Sequence, residues 1–352
     1  MSKKSILFLV LVSMLSLVSC DRKEPAGILS AASCAGNTLT KEDLTLPEFS
    51  VKISFTGDMI LTADKYNTRS DNFHYYTRKY SKEYFLDKVR HIFEADDFTC
   101  VNLESVFSDR DLQPRNKGGG RAFWFKAPTK NIEILTCSSV EGVSIANNHT
   151  EDFGDQGYLD TIETVKNAGL AYGFEDEIIY FEKNGFRIAV VCHGLWGEWQ
   201  TGEVIPCLET AKANSDYQIV FYHGGAEGVY EPEQWRIRAS RKLVDHGADL
   251  VIGNHPHVLQ PREVYNGAEI IYSMGNFCYG GHSKPKNRTM IYQMELTVDP
   301  MTKEVTNQES TIIPCYVFTG SGNNNFQPAV IEDEREKQKV LDFMDGKRST
   351  PQ

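Results

Sequence analysis

Five apolar runs along this chain each end in a residue that can bind a metal ion, and several stretches with helical periodicity lie between them. Short β-branched runs of this kind are typical of buried strands. Strands that alternate with helices predict an α/β protein, in which ligands bind at the carboxyl ends of the strands. The residues that end the runs are therefore expected to lie together in a shared metal or catalytic site. They are Asp58, Glu104, Asn148 with His149, His223, and His255 with His257.

The last of these runs, VIGNHPHVLQP, places two histidines on either side of a proline. Pro256 disfavours a helical conformation of the preceding residue, so His255 is expected to be extended. In an extended chain residues two apart point the same way, so the imidazoles of His255 and His257 are expected to converge. Imidazole is the commonest metal ligand in proteins. Taken alone, this stretch also fits two hydrogen-bonded surface histidines, and the polar residues that end the other runs also suit turns and helix caps.

Three segments between the runs have apolar residues at helical spacing. The last one opens with a proline, a residue favoured at the first position of a helix, and closes with a glycine. The sequence therefore predicts helices in these segments, which are residues 82–97, 157–169 and 232–247.

The first part of the chain has the pattern of an export signal. Two lysines precede an apolar stretch too short to span a bilayer, and the segment ends in Leu-Val-Ser-Cys, which resembles a lipoprotein cleavage box. We expect residues 1–19 to be a signal peptide, Cys20 to be lipid-modified, and residues 20–50 to be a flexible linker. A folded domain is expected over 51–320, followed by a helical extension over 321–352. The expected location is the bacterial cell envelope, on its periplasmic or outer surface, although a soluble secreted protein is an alternative.

Charge and cysteine content exclude several classes of protein. The net charge is −11, and no basic run follows the leader, which argues against nucleic acid as a partner. The cysteines form no CxxC pair in a chain with ample core, which argues against a disulfide framework and against a zinc finger.

Six sequence blocks carry a resemblance to a known family. In order they are FTGDMIL, VNLES, IANNHTEDFGDQGYLDTIETVKNAGL, HGGAE followed by EPEQ, GADLVIGNHPHVLQP and YSMGNF, and the match runs from about Val51 to Phe277. They resemble the CapA or poly-γ-glutamate capsule-synthesis family, a branch of the calcineurin-like metallophosphoesterases. The resemblance implies a two-sheet sandwich flanked by helices, with four layers in the order αββα and a metal site at the strand ends.

The resemblance also implies roles for individual residues. His149 matches the histidine that protonates the leaving group, and a carboxylate such as Asp152 can hold it protonated, although Asp152 also suits the cap of the following helix. Carboxylate, amide and imidazole ligands together favour one or two Mn, Fe or Zn ions. The implied metal ligands are Asp58, Glu104, Asn148, His223, His255 and His257.

The chain departs from the superfamily pattern at several of these positions. Met59 and Ile60 follow the first aspartate where a histidine ligand is expected, and Glu104 replaces an aspartate that bridges two metals. These changes predict a single metal ion or a weakly held second ion. Gly224 stands where the family has an aromatic residue, and Asn254 replaces a further histidine, so the pocket shape is expected to differ.

Three functions fit these features. The first is a metal-dependent hydrolase acting on a cell-surface polymer, and the second is a lipid-anchored accessory of capsule synthesis or export that binds an anionic polymer or its precursor without catalysis. The third is a carbohydrate-active protein, a function that Trp196 and Trp199 favour. Arg121 and Lys126 are candidates for contacting an anionic substrate, with a solvated basic pair as the alternative. His193 also ends an apolar run but lies outside the matched blocks.

Overall fold

The structure, a computed structural model, describes residues 46–118 and 122–352. Residues 1–19, Cys20, the linker up to residue 45 and Arg121 lie outside the described residues, so the expectations for them stay predictions. Within the described ranges, no helix has the length and apolar character needed to cross a membrane.

Strands and helices follow one another along the described chain as follows. The strands are β1 Phe49–Ile60, β2 Phe98–Leu103, β3 Val106–Phe107, β4 Lys126–Ala127, β5 Gly142–Ser144, β6 Ala171–Gly173, β7 Ile179–Lys183, β8 Phe186–Gly194, β9 Tyr217–His223, β10 Leu250–Asn254, β11 Leu259–Tyr265, β12 Ala268–Met274, β13 Asn276–Tyr279, β14 Thr289–Val298, β15 Val305–Tyr316 and β16 Ala329–Val330. The helices are α1 Phe73–Lys79, α2 Arg90–Phe93, α3 Glu133–Thr136, α4 Gly154–Asn167, α5 Thr201–Asn214, α6 Gln234–Asp245 and α7 Glu334–Met344.

Most strands belong to one of two sheets. The first sheet has the order β16-β15-β14-β1-β2-β5-β6, with β13 beside β1, and the second has the order β11-β12-β10-β9-β8-β7. In the first sheet β1, β2, β5 and β6 are parallel, and in the second sheet β8, β9, β10 and β12 are parallel. Parallel neighbours place their carboxyl ends at the same edge of a sheet, which is where such folds bind ligands.

The two sheets pack face to face and helices cover their outer faces. Between the sheets, the rings of Phe55 in β1 and Phe221 in β9 meet edge to face with centroids 5.3 Å apart. On the outer face of the first sheet, Val165 of α4 belongs to a second buried cluster. On the outer face of the second sheet, Leu208 of α5 and Leu243 of α6 belong to a third. The predicted α/β sandwich of two sheets flanked by helices is thus confirmed.

The helix predicted over 82–97 is wrong as a single element. Instead, the segment forms a 3₁₀ turn at Lys82–Phe85 and the short helix α2. Leu86 and Val89, which join the two, leave helical geometry and are fully buried. Tertiary packing of the apolar stripe therefore overrides its helical propensity. The other two predicted helices are present as α4 and α6.

The last residues of the chain contribute to both a sheet and a helix. Strand β16 pairs with β15 through Cys315 and Tyr316, and α7 packs against β11 and β15. Asp333 caps α7 by accepting hydrogen bonds from the backbone N–H groups of Arg335 and Glu336. The boundary expected at residue 320 stays a prediction.

Candidate metal centre

Carboxyl ends of strands from both sheets bring three of the predicted ligands together. Asp58 lies near the end of β1, Glu104 follows β2 directly, and His223 is the last residue of β9. All three side chains are buried, and one ligand atom from each lies within 4.8 Å of the others. We call these residues the inner group.

A second group of ligand atoms lies within 4.8 Å of one another at His255, His257 and Glu227. The two histidines follow β10, and the exposed Glu227 lies in the loop after β9. We call these residues the outer group. Sequence reasoning did not assign Glu227 a role, although it stands four residues after His223 in the HGGAE block.

The backbone of the histidine pair differs from the expectation. His255 has a φ of 96° and His257 a φ of 56°, so the extended conformation expected for His255 is wrong. Positive φ values at non-glycine residues cost of the order of 1–3 kcal/mol and persist where the surrounding structure enforces them, often at functional sites. The imidazoles still converge, because the outer group contains both.

A chain of close contacts joins the predicted ligands. His257 Nδ1 lies 2.8 Å from Asp58 Oδ2, which connects the outer group to the inner group. His255 Nδ1 lies 2.9 Å from His223 Nε2, and the Asn148 side-chain oxygen lies 2.8 Å from the same nitrogen. All six predicted metal ligands are therefore found at one site.

The position of Asp58 depends on a kink in β1. The register with the neighbouring strands shifts between Thr56 and Asp58, as at a β-bulge. Gly57 lies at this shift, and a Cβ there would overlap the backbone oxygen of Gly275. That oxygen accepts a hydrogen bond from the Asp58 N–H at 2.8 Å. The glycine of FTGD and the glycine of SMGNF thus allow β1 and the junction between β12 and β13 to approach each other beside the site.

An asparagine that sequence reasoning missed holds two of the ligands. The Asn102 side-chain amide donates a hydrogen bond to Asp58 Oδ1 at 2.8 Å and lies 2.9 Å from His223 Nδ1. Asn102 is buried in β2, two residues before Glu104. Its place in the VNLES block is the only signal that the sequence offers.

The two buried carboxylates of the inner group have opposite pKa shifts. Burial and repulsion from Asp58 raise the pKa of Glu104 well above its ordinary value. Burial also acts to raise the pKa of Asp58, but the ion pair with His257 and its hydrogen bonds outweigh that effect and lower the pKa. A divalent cation beside both groups would offset this concentration of negative charge.

The buried histidines favour the form that binds metals. Burial, together with the neighbouring histidines, lowers the pKa of His223 well below its ordinary value and lowers the pKa of His255 to about 3. His257 differs, because although burial acts to lower its pKa, Asp58 raises it. Neutral imidazole is the species that coordinates a metal ion, so His223 and His255 are suited to that role.

Several buried polar atoms of the centre have no hydrogen-bond partner among the described residues. They include Glu104 Oε2, and also Asp58 Oδ2 and His257 Nδ1, whose 2.8 Å contact with each other lacks hydrogen-bond geometry. Unpaired buried polar atoms are rare and call for an explanation such as a bound ion. Carboxylate oxygens and imidazole nitrogens together suit Mn, Fe or Zn better than Ca. The residues present therefore fit one or two divalent transition-metal ions.

His149 lies at the edge of the inner group and makes a buried contact with Asp152. His149 Nδ1 is 2.9 Å from Asp152 Oδ2, and His149 Nε2 is 3.9 Å from Glu104 Oε2. Asp152 does not cap α4: its Oδ2 accepts a hydrogen bond from the Phe125 N–H at 2.8 Å. Burial lowers the pKa of His149 despite the neighbouring carboxylate. Lys117, which sequence reasoning missed, forms an ion pair with Asp152 Oδ1.

Other features noted in the sequence are not part of these groups. The amine of Lys126 donates hydrogen bonds to the backbone oxygens of Ser108 and Arg110, so it is engaged by the protein itself. Met59 and Ile60, which stand where the superfamily has a histidine ligand, are fully buried apolar residues.

The aromatic residue expected after His223 is replaced from another part of the chain. A Cβ on Gly224 would overlap the backbone oxygen of Leu195, so the chain has no room for a side chain there. The Trp196 ring lies edge-on to the rings of His255 and His223, with centroids 5.0 and 5.8 Å away. An indole from the loop after β8 thus packs against both histidines.

Replacing Gly224 by alanine is expected to destabilise the fold and weaken metal binding. The added methyl group must displace the loop at Leu195, which lowers the free energy of unfolding by about 1–3 kcal/mol. Urea unfolding and metal content measure the two effects. Gly202→Ala is the matched control, because a Cβ there meets no atom within 4 Å and the position is helical. Equal stability of the Gly224→Ala and wild-type proteins would contradict the packing described.

Two clefts adjoin the centre. The first has a volume of about 450 Å³ and reaches the centre at Asn148. The second has a volume of about 490 Å³ and reaches it at His149, His257 and Glu227.

The fold and the site together define an α/β protein, a two-sheet sandwich with a candidate metal centre at its strand ends. The model of the family described as bacterial capsule synthesis protein PGA_cap matches residues 52–280, and the chain belongs to this family. The resemblance seen in the six sequence blocks is thereby confirmed.

Individual proteins that are similar to this chain show how much of it the similarity covers. The chain is 28% identical over 274 residues to the PGA biosynthesis protein CapA of Bacillus subtilis (strain 168), covering 72% of this chain and 69% of the relative. It is 27% identical over 239 residues to the capsule biosynthesis protein CapA of Bacillus anthracis, covering 60% of this chain and 58% of the relative. A crystal structure of a novel phosphatase from Mycoplasma pneumoniae matches with 16% identity and a TM-score of 0.42, covering 76% of this chain and 95% of that one.

Proposed function

We propose that this protein is a divalent-metal-dependent hydrolase that acts on an anionic cell-surface polymer, or its precursor, during capsule or polyglutamate synthesis. The observation that carries the proposal is the contact between the two ligand groups, in which Asp58 Oδ2 and His257 Nδ1 lie 2.8 Å apart without hydrogen-bond geometry, beside a Glu104 Oε2 that has no hydrogen-bond partner among the described residues. The names of the relatives, a PGA biosynthesis protein and a capsule biosynthesis protein, support the biological setting.

The ligand residues have a defined task in this proposal. The inner and outer groups would hold the metal through carboxylate and imidazole atoms, and the Asn148 side-chain oxygen beside His223 would be a further ligand. A divalent ion bound there supplies Lewis-acid polarisation of the scissile group and activation of water. Asn102 keeps Asp58 and His223 in place, as hydrogen-bond partners of metal ligands do.

His149 is the proposed general acid. Asp152 accepts the Nδ1–H hydrogen bond, which leaves Nε2 as the nitrogen on the side of Glu104. Burial disfavours the charged imidazole in the free protein, and an anionic substrate beside it would favour that charged form again. His149 would then donate the Nε2 proton to the leaving oxygen as the bond breaks.

The second cleft offers a place for the anionic group of the substrate. Lys286 and His282 line it, and Lys286 forms no ion pair within the described part of the chain. Phe125 and Tyr279 also line this cleft. A lysine without an ion-pair partner beside a metal centre attracts anionic substrates and raises their local concentration.

The proposed location is the bacterial cell envelope. We infer that Cys20 carries a lipid anchor and that the linker before β1 tethers the domain to the membrane, which would place it near the synthesis or export machinery of the polymer. The lipoprotein-type leader is the feature that supports this.

Turnover of a phosphodiester tests the proposal directly. Purified protein loaded with Mn, Fe or Zn is expected to hydrolyse bis(p-nitrophenyl) phosphate, and chelation should lower the rate by about 10²-fold or more because the polarising ion is lost. Adding back one of these metals should restore the rate, whereas Ca should not, because imidazole nitrogens are poor Ca ligands. Equal rates before and after complete metal removal would contradict the proposal.

A second candidate function is metal-dependent binding of the polymer without catalysis. The observation that favours it is the buried pair Met59 and Ile60, which fills the place of a superfamily ligand with apolar side chains. Full metal content and polymer binding, with no turnover of any phosphoester, would support this candidate over the hydrolase.

A further inference from the structure

The first cleft beside the metal centre differs from the second cleft in the residues that line it. We call it the tryptophan cleft and define it by Asn148, Glu175, His193, Trp196 and Glu203, which are among its lining residues. It reaches the centre at Asn148, whose side-chain oxygen contacts His223. A molecule bound at the centre can therefore extend into this cleft.

The cleft contains acceptor groups that can take further hydrogen bonds, although Glu203 Oε2 already accepts one from the Gln200 side-chain amide at 3.3 Å. His193 is only 5% exposed, and its Nδ1 lies 2.6 Å from the Gly194 backbone oxygen, which only accepts, so Nδ1 carries the hydrogen. Its Nε2 is then an acceptor and has no hydrogen-bond partner among residues 46–118 and 122–352. Glu175 and Glu203 form no ion pair within these ranges. Such a lining fits a ligand that is rich in donors.

The cleft also has a net negative character. Its two cationic side chains are both neutralised, since Arg115 pairs with Glu151 and Lys117 pairs with Asp152. The carboxylates of Glu175 and Glu203 remain without a compensating charge. Like charges in a partly enclosed cleft repel each other, so a polyanion such as a run of glutamate residues is disfavoured there.

Trp196 provides an apolar face in a fixed position. Its side chain is 42% exposed, and its ring is held edge-on against His255 and His223. Its backbone N–H donates to the Gln200 side-chain oxygen at 2.6 Å. Gly194 has no side chain, and a Cβ there would lie 3.1 Å from the indole nitrogen, so the ring packs directly on the backbone. A rigid exposed indole gives a large contact area with little loss of entropy.

We propose that the tryptophan cleft binds an uncharged, hydroxyl-rich sugar residue of the polymer, next to the anionic linkage on which the centre acts. This inference rests on the proposed function and narrows its substrate to a glycan with anionic linkages. Sugar hydroxyls donate to Glu175, Glu203 and His193 Nε2, while the C–H face of the ring covers Trp196. A polymer made only of glutamate presents carboxylates to the same acceptors, has no hydroxyl groups and offers only its amide N–H groups as donors.

Binding to an array of immobilised glycans and glutamate oligomers tests the inference. The full chain, purified in detergent with Mn²⁺, is applied to neutral, amino and acidic bacterial surface glycans and to γ-linked glutamate oligomers. We expect neutral glycans to be retained and the glutamate oligomers to bind more weakly. Trp196→Ala should lower the affinity for the retained glycans about tenfold. Trp199→Ala is the matched control, because Trp199 is 70% exposed in the same loop and does not line the cleft.

A second pair of variants tests the charge argument. Glu175→Gln with Glu203→Gln keeps acceptor atoms and removes both charges, so the glutamate oligomers should bind about threefold more tightly. Glu209→Gln, an exposed position on the same helix as Glu203, should change nothing. The inference is overturned if no neutral glycan is retained, if Trp196→Ala leaves glycan binding unchanged, or if the glutamate oligomers bind wild type most tightly.

Metal content of the same samples separates this inference from the proposed function. Wild type that holds metal but retains no neutral glycan contradicts the sugar site and leaves the hydrolase proposal standing. Wild type that takes up no metal yet retains glycans in a Trp196-dependent manner contradicts the metal-dependent hydrolase and leaves the sugar site standing.

Discussion

Replacing His223 and His257 by alanine in one protein is expected to abolish metal binding while the fold persists. His223 belongs to the inner group and His257 to the outer group, so each group loses an imidazole ligand. Loss of even a hydrogen-bond partner of a ligand lowers metal affinity about 10- to 100-fold, and loss of a ligand from each group should do more. We expect near-stoichiometric Mn, Fe or Zn in wild type and less than about a tenth of that in the variant, by elemental analysis.

The matched control removes two histidines that lie away from the centre. His91 and His246 are both exposed, and His246 Nδ1 lies 2.7 Å from a backbone oxygen of its own helix. The double variant His91→Ala with His246→Ala should keep its metal, and circular dichroism with thermal unfolding should show both variants folded. Wild type that stays metal-free after incubation with all three metals would mean that the histidines are structural.

The parts of the site that the sequence predicts are those at strand ends. Asp58, Glu104 and His223 each end an apolar run, and the run itself indicates a buried strand. Because parallel strands place their carboxyl ends at a common edge, five separate weak signals could be combined into one expectation. The structure places all of the predicted ligands at that edge.

Residues in loops escaped prediction for a physical reason. Glu227 and Lys117 lie in connections whose path depends on tertiary packing, so no periodicity indicates where their side chains point, and the contact of Trp196 with the histidines was hidden for the same reason. The extended conformation expected at His255 failed in the same way, since contacts around the pair override the local preference set by proline. Helix prediction over 82–97 failed where buried apolar residues pack better outside a helix.

Most departures from the superfamily pattern stand at or beside residues of the inner group, whereas an additional carboxylate lies at the outer group. Met59 and Ile60 remove one histidine that the superfamily supplies, yet Glu227 approaches His255 and His257 closely enough to complete a group of three. Glu227 is exposed, whereas the inner carboxylates are buried, so an ion at the outer group would be more open to solvent. This difference favours one ion bound tightly at the inner group and a second ion bound more weakly at the outer group.

Replacing His149 by alanine is expected to lower turnover by about 10²–10⁴-fold on a substrate with a strongly basic leaving group, with metal content unchanged. His149 belongs to neither ligand group, and its Nε2 lies 3.9 Å from Glu104 Oε2, so its loss removes a proton donor and leaves the metal ligands in place. An alkyl phosphodiester such as glycerophosphoglycerol, whose leaving alkoxide needs the proton, is the test substrate.

Comparing two leaving groups separates proton donation by His149 from a role in binding. p-Nitrophenolate leaves without a proton, so turnover of bis(p-nitrophenyl) phosphate should fall much less than turnover of the alkyl ester. Asp152→Asn should likewise lower turnover of the alkyl ester much more than turnover of bis(p-nitrophenyl) phosphate, because the carboxylate accepts the Nδ1–H hydrogen bond at 2.9 Å that orients the ring. A loss of equal size on both substrates would assign His149 to substrate binding, and a loss of metal would make it a ligand, so either result would contradict the general-acid role.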